Sequence, residues 1–322
     1  MIGIARPLLL LLLPLGAVAD AGQPLLQDPP TAQDQIPAGT GVDGALLDFQ
    51  MIDERLTVPV AVGGRGPYNF IIDTGAERTV ISRELAGTLQ LAPGGSVNLT
   101  SMTERSPVDT VIIPEFAIQS IGDRHTIQAP ALLQQNLGAQ GLLGIDTLAG
   151  HKVAIDFESG RMTVARSARR SSRTPASRDE IVVTARSRYG QLIVTDAYYG
   201  STRIQVVLDT GSQVSMGNGA FRRLVGRRLR GAIQTIKLTS VTGGQAEADY
   251  ALVPNVHVGN VRFQLLPVAF ADVAPFERFG LTRRPALLLG MDALRSFRHV
   301  EIDFANREVR FRMPRPGHLP RI

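Results

Sequence analysis

The chain of 322 residues contains no cysteine. That excludes disulfides, thiolate metal sites, a cysteine nucleophile and a lipid-anchored cysteine, so the fold must be held by core packing alone. Tryptophan is also absent and aromatic residues make up only 5%. Val, Ile, Leu and Gly abound instead, a balance that favours a glycine-punctuated β protein over a helical bundle. The five histidines are scattered, with neither an HExxH pair nor a nucleophile elbow, which sets aside metallo- and serine-hydrolase chemistry.

Long apolar runs are missing but for one. The N-terminus, "MIGIARPLLLLLLPLGAVADAG", joins Arg6 to a Leu-rich stretch broken by Pro14, with small residues at Ala17, Ala19 and Ala21. Residues 1–21 are therefore read as a secretory signal, too short in its apolar core to span a bilayer comfortably. Residues 22–44, rich in Pro, Gln, Gly and Asp, read as a flexible leader. The protein is expected to be exported, periplasmic or secreted, with no integral membrane segment once the signal is removed.

The net charge of +5 is local. Between Arg166 and Arg188 lie seven arginines against Asp179 and Glu180, which accounts for the whole excess. The stretch is also rich in Ser and Ala, so residues 166–180 read as a solvated linker rather than a polyanion site, and no nucleic-acid partner is expected. The arginines of "FRRLVGRRLRG" (221–231) read as the solvated face of a helix.

What the chain does have, it has twice. "LTVPVAVGGRGPYNFIIDTGA" is answered by "LIVTDAYYGSTRIQVVLDTGS", with Leu56 and Leu192 each 17 residues before an Asp-Thr-Gly. Residues 97–115 answer 236–255, "GLLGIDTLAG" answers "LLLGMDALRS", and "VAIDFESGRMTV" answers "VEIDFANREVRF". Landmarks recurring in one order mark a duplicated unit. The expected organisation is one lobe over residues 45–165, the linker, and a second lobe over residues 181–315. Within each copy, β-branched runs separated by Gly, Asn and Pro turns predict short strands with brief helices such as "SRELAGTLQ".

Duplication repeats three aspartates, and the chemistry must be assigned among them. Asp146 and Asp292, in Gly-x-Asp-x-Leu, are expected to cap the short helix that follows. Asp156 and Asp303, in Ile-Asp-Phe, read as exposed hairpin carboxylates near Arg161 and Arg307. Asp73 and Asp209 differ, because each follows apolar residues that should be buried. A carboxylate there is costly unless it is hydrogen-bonded or functional. The following Thr74 and Thr210 offer a hydroxyl to fix the loop, and Gly75 and Gly211 a backbone conformation or close approach that a side chain would block.

Here "IIDTGAERTVIS…GLLGIDTL" resembles a lobe of the retropepsins, retroviral-type aspartic peptidases in which each protomer brings one Asp to a two-fold interface. "VVLDTGSQVSM…LLLGMDAL" fits the same pattern, with Ser212 after the glycine as in pepsin-like lobes. The resemblance covers nearly all of the expected mature chain and is similar to a fused dimer of the kind found in duplicated, exported bacterial aspartic peptidases. It implies an all-β fold of two homologous barrel lobes, an expected monomer with pseudo-two-fold symmetry, a polypeptide substrate, and neither cofactor nor metal. Asp73 and Asp209 become the catalytic pair, supported by Thr74, Gly75, Ala76, Thr210, Gly211 and Ser212. Flap hairpins are expected near residues 100–107 and 239–246, with Ser101, Met102, Thr103, Ser240, Val241, Thr242, Gly243 and Gly244 facing substrate. Two carboxylates roughly 4 Å apart repel by about 4 kcal/mol at an effective dielectric near 20, enough to split their titrations by about three units. The Ser212 hydroxyl is expected to bond Asp209 and favour its charged form, leaving the proton on Asp73. The alternative is a non-catalytic periplasmic binding or scaffold protein that keeps the fold.

Overall fold

The computed structural model describes residues 57–168, 180–188 and 191–314. The signal and leader, and most of the Arg-rich linker, lie outside the described residues. The first lobe runs β1 (Thr57–Val62), β2 (Arg65–Ile72), β3 (Val80–Ser82), α1 (Arg83–Thr88), β4 (Ala92–Thr100), β5 (Arg105–Ile118), β6 (His125–Leu132), α2 (Gln134–Leu137), β7 (Gly141–Leu143), α3 (Ile145–Leu148), β8 (His151–Asp156) and β9 (Arg161–Arg166). After β10 (Glu180–Arg188) the second follows as β11 (Gln191–Tyr199), β12 (Thr202–Leu208), β13 (Met216–Gly217), α4 (Gly219–Val225), β14 (Arg230–Thr239) and β15 (Gln245–Val258). It ends with β16 (Val261–Phe270), α5 (Ala274–Arg278), β17 (Ala286–Leu289), α6 (Met291–Leu294), β18 (His299–Asp303) and β19 (Glu308–Arg312).

Each lobe closes a barrel with the same strand order. In the first the ring is β1-β2-β7-β3-β6-β5, closed by Val60 opposite Ile118; in the second it is β11-β12-β17-β13-β16-β15, closed by Ala197 opposite Val258. β1 alternates as a half-buried strand should, with Val58, Val60 and Val62 inside and Pro59 outside. Closure pairs the six ring strands on both sides, while β4 and β14 continue outside the rings as hairpin partners of β5 and β15. In the first core Phe70 and Phe116 meet edge-on at 5.9 Å, each fully buried and contributing on the order of 2–3 kcal/mol. The protein is thus an all-β fold of two matching lobes with short helices. No helix among the described residues is long and apolar enough to cross a membrane.

The last repeated landmark forms the seam. The β8–β9 hairpin of the first lobe and the β18–β19 hairpin of the second pair with each other, Val153 opposite Ile302 and Ile155 opposite Val300. β10 extends this sheet beyond β19. The apolar sides of these strands, including Val153, Ile155, Val300, Ile302, Val309 and Phe311, belong to one continuous core shared by the lobes.

Two expectations are corrected here. Asp303 is not an exposed hairpin carboxylate: it is buried, accepting from Ser167 Oγ at 2.7 Å and from the Asn306 backbone and side chain at 3.0 and 2.8 Å. It therefore ties the segment after β9 to the second lobe. Glu180, counted with the linker, begins β10 and pairs with Arg310 at 2.8 Å in a buried cluster that also holds Glu308.

Candidate active site

The two Asp-Thr-Gly turns are built alike. β2 and β12 deliver them, β3 and β13 take the chain away, and β7 or β17 lies between, parallel to the first and antiparallel to the second. Asp73 N donates to Leu143 O at 2.9 Å and Asp209 N to Leu289 O at 3.0 Å. Inside each turn the carboxylate accepts two backbone amides: Gly75 and Ala76 at 2.9 and 3.0 Å for Asp73, Gly211 and Ser212 at 3.1 and 3.2 Å for Asp209.

The turns lock to one another through their threonines. Thr74 Oγ1 donates to Leu208 O of the other lobe at 2.8 Å and accepts from Thr210 N at 3.1 Å. Thr210 Oγ1 donates to Ile72 O at 2.7 Å and accepts from Thr74 N at 3.2 Å. Both threonines are buried, so each hydroxyl satisfies backbone groups that water cannot reach. The glycines provide room rather than backbone freedom. A Cβ on Gly75 would lie 2.8 Å from Asp209 Oδ1, and one on Gly211 would run into the Asp73 carboxylate. Each glycine thus admits the aspartate of the opposite lobe, and the two carboxylates share one spot on the floor of a cleft.

That proximity sets the charge. Burial, and then the charge of Asp73, push the Asp209 carboxyl up to about 7 against the pull of its two amide donors. The two carboxyls titrate as a coupled pair and between them hold a proton toward neutral pH. The Ser212 hydroxyl, expected to bond the Asp209 carboxylate, instead donates to Val214 O at 2.7 Å. Only its backbone N–H reaches the carboxylate.

Asp146 and Asp292 do more than cap. Gly144 and Gly290 occupy the N-cap positions. The Asp146 carboxylate accepts from Thr79 N and Oγ1 at 2.9 and 2.8 Å, and from Thr147 N at 2.9 Å. Asp292 accepts from Ser215 N and Oγ at 2.9 and 2.6 Å, and from Ala293 N at 2.7 Å. Burial pushes Asp292 upward from the usual carboxylate range, against these donors. The pair braces the strand leaving each turn. Thr79 and Ser215, fully buried, escaped the sequence reading, yet a hydroxyl at the same offset after each Asp-Thr-Gly was there to be seen.

Both flap segments form hairpin tips over the cleft. Residues 101–104 join β4 to β5 and residues 240–244 join β14 to β15. Thr103 Oγ1 donates to Ser240 Oγ at 3.3 Å, and a Cβ on Gly244 would strike Thr103. The tips cross lobes. Met102 packs against the Phe276 and Phe279 cluster of the second lobe and accepts from Ala274 N at 3.1 Å. Val241 packs against the Leu132 and Leu137 cluster of the first lobe, and Gly243 lies beside Asn136. Ser240 and Thr242 share a hydroxyl contact of 2.8 Å, while buried Ser101 closes its own turn on Glu104 at 3.1 and 3.2 Å. About 230 Å³ remains beneath the tips, less than the roughly 300–1,000 Å³ of most ligand sites. Among the described residues no group of three or more His, Asp or Glu is arranged to hold a metal ion.

Two barrels, each lending one Asp-Thr-Gly turn to a common floor, define a two-lobed acid-protease architecture. The model of the aspartyl protease family matches residues 58–147 and 195–293, one stretch in each lobe, and the chain belongs to that family. Among solved structures it is similar to a retropepsin-like aspartic protease from Rickettsia conorii, at 19% identity and a TM-score of 0.28, covering 42% of this chain and 90% of that one. No curated protein matches the chain.

Proposed function

We propose that this protein is an aspartic endopeptidase that hydrolyses peptide bonds with a water held between Asp73 and Asp209. The observation that carries the reading is the mutual accommodation of the turns: each glycine leaves room for the other lobe's aspartate, and the threonines hold both in place. A binding protein has no need of two carboxylates converging on one point. In the reaction Asp73, ionised, takes a proton from the water as its oxygen attacks the peptide carbonyl carbon. Asp209, protonated, donates to the carbonyl oxygen, giving a neutral gem-diol. Asp73 then gives its proton to the amide nitrogen while Asp209 takes one from a gem-diol hydroxyl; the C–N bond breaks, two peptides leave, and the starting protonation is restored. The flaps must lift to admit a polypeptide and reclose to exclude bulk water.

One chain supplies both aspartates, so a monomer suffices. Export through residues 1–21 places the activity in the periplasm or outside the cell; fractionation of cells carrying a C-terminally tagged protein checks this. The enzymatic reading is tested by incubating the protein with a peptide mixture between pH 3 and 7 beside Asp73→Asn and Asp209→Asn. Cuts mapped by mass spectrometry, blocked by a pepstatin-type inhibitor and absent from both variants, are expected. Cuts that survive both substitutions would falsify the assignment.

A further inference from the structure

The cleft is symmetrical at its floor and asymmetrical at one end. Four residues after each catalytic aspartate the first lobe has Glu77 and the second Gln213. These positions are equivalent in the backbone, since Glu77 O accepts from Asp146 N and Gln213 O from Asp292 N, both at 3.1 Å. The next residues are Arg78 and Val214, whose main chains pass over Gly144 and Gly290 respectively.

A second difference faces the first. Ala131 to Gly141 in the first lobe corresponds, by strand register, to Phe270 to Leu287 in the second, a longer passage. The added residues include the last turn of α5, and that turn carries Arg278 to the cleft beside Glu77. Arg278 and Glu77 form an ion pair across the lobes, with about a third of each side chain exposed, 31% and 37%. Arg78, exposed, lines the same end. Along the cleft wall Arg78 and Arg278 thus flank Glu77. At the matching place across the pseudo-two-fold axis, Gln213 and Val214 carry no charge.

Resting on the endopeptidase reading, we propose that Arg278 is the specificity-determining residue of the cleft. It receives an acidic side chain of the substrate on one side of the scissile bond, with Glu77 as its resting partner. The guanidinium keeps its charge at any working pH and offers several donors in a planar fork, so it can hold Glu77 and still receive an incoming carboxylate. A neutral or basic side chain at that subsite gains no such contact, and a basic one meets Arg278 and Arg78 directly.

The test takes a peptide the wild type cuts and places Glu, Gln or Lys in turn at each position flanking the cut. At one position kcat/KM is expected to favour Glu over Gln by about tenfold, the weak end of what a hydrogen bond to a charged group supplies. Arg278→Met, which keeps the stem, is expected to level that ratio, and Glu77→Gln to raise it. An unchanged ratio in Arg278→Met, or a wild-type preference for Lys at every position, overturns the inference. Should Arg278→Met not fold, Glu77→Gln decides alone: an unchanged or lower ratio overturns it. Absence of any cleavage counts against the endopeptidase reading. Binding of the fluorescent Glu and Gln peptides, followed by anisotropy, then tests Arg278 by itself, and a binding ratio indifferent to Arg278→Met overturns this inference.

Discussion

The two lobes agree where the turns meet and differ where the cleft opens. Strand order, the threonine exchange, the glycine clearances and the Asp146 and Asp292 braces correspond one for one. Ala76 against Ser212, Glu77 against Gln213, Arg78 against Val214 and the extended passage around α5 do not. Duplication within one chain frees the halves to diverge in side chains that do not hold the carboxylates; at Ala76 and Ser212 the backbone amide does the holding, so the side chain is free to differ. The floor keeps its symmetry where each turn must make room for the other lobe's aspartate.

The sharpest test of that agreement removes one carboxylate at a time. Asp73→Asn and Asp209→Asn are each expected to lower kcat by on the order of 10³-fold or more, since each loses one acid–base partner. A residual activity that differs widely between the two would break the equivalence of the lobes. Gly75→Ala and Gly211→Ala come next. Each pushes the opposite aspartate aside, and displacement near 1 Å costs about a hundredfold in rate. The substitution in one lobe is expected to perturb the aspartate of the other, visible as a shifted pH–rate limb.

Thr74→Val and Thr210→Val strand buried backbone groups of the facing lobe. Each is expected to cost roughly 1–3 kcal/mol in chemical denaturation. The double variant should cost less than both together, because the two hydroxyls serve one network.

Stability against pH follows from Asp209. Its carboxyl titrates near 7 in the folded chain, above its ordinary value of 3.8, so the folded state holds the proton more tightly than the unfolded one. The stabilisation is complete below about pH 4 and is lost as pH rises toward 7, by at most on the order of 4 kcal/mol. Denaturation midpoints of Asp209→Asn should lack that fall. The smallest effect is expected at Ser212→Ala, where the hydroxyl bonds Val214 O and not the carboxylate. Its pH–rate limbs should match those of the wild type, and a displaced limb would restore a role for the hydroxyl in the asymmetry.

Much of this was legible in the sequence for a physical reason: repetition. A turn written twice in register identifies Asp73 and Asp209, and the same register places the hairpin tips near Met102 and Val241. What could not be read there depends on partners remote along the chain. Nothing local distinguishes Asp303, buried against Ser167, from Asp156, which accepts the amides of its own turn. The Ser212 hydroxyl had two acceptors within reach, and only the path of the chain toward Val214 selects one. The Glu77–Arg278 pair joins residues of different lobes. Its one sequence signal is the break in the repeat between Ala271 and Ala286, where the second copy runs longer.

The pairing of β8 with β18 has a consequence for the birth of the molecule. A ribosome delivers β8 long before β18, and strand edges left open invite the wrong neighbour. A newly made first lobe can complete its own barrel, yet its seam hairpin must wait, unpaired along β8, for the hairpin at the far end of the described chain. Assembly therefore finishes at the seam, and a nascent chain stopped before His299 carries a finished barrel beside an open edge.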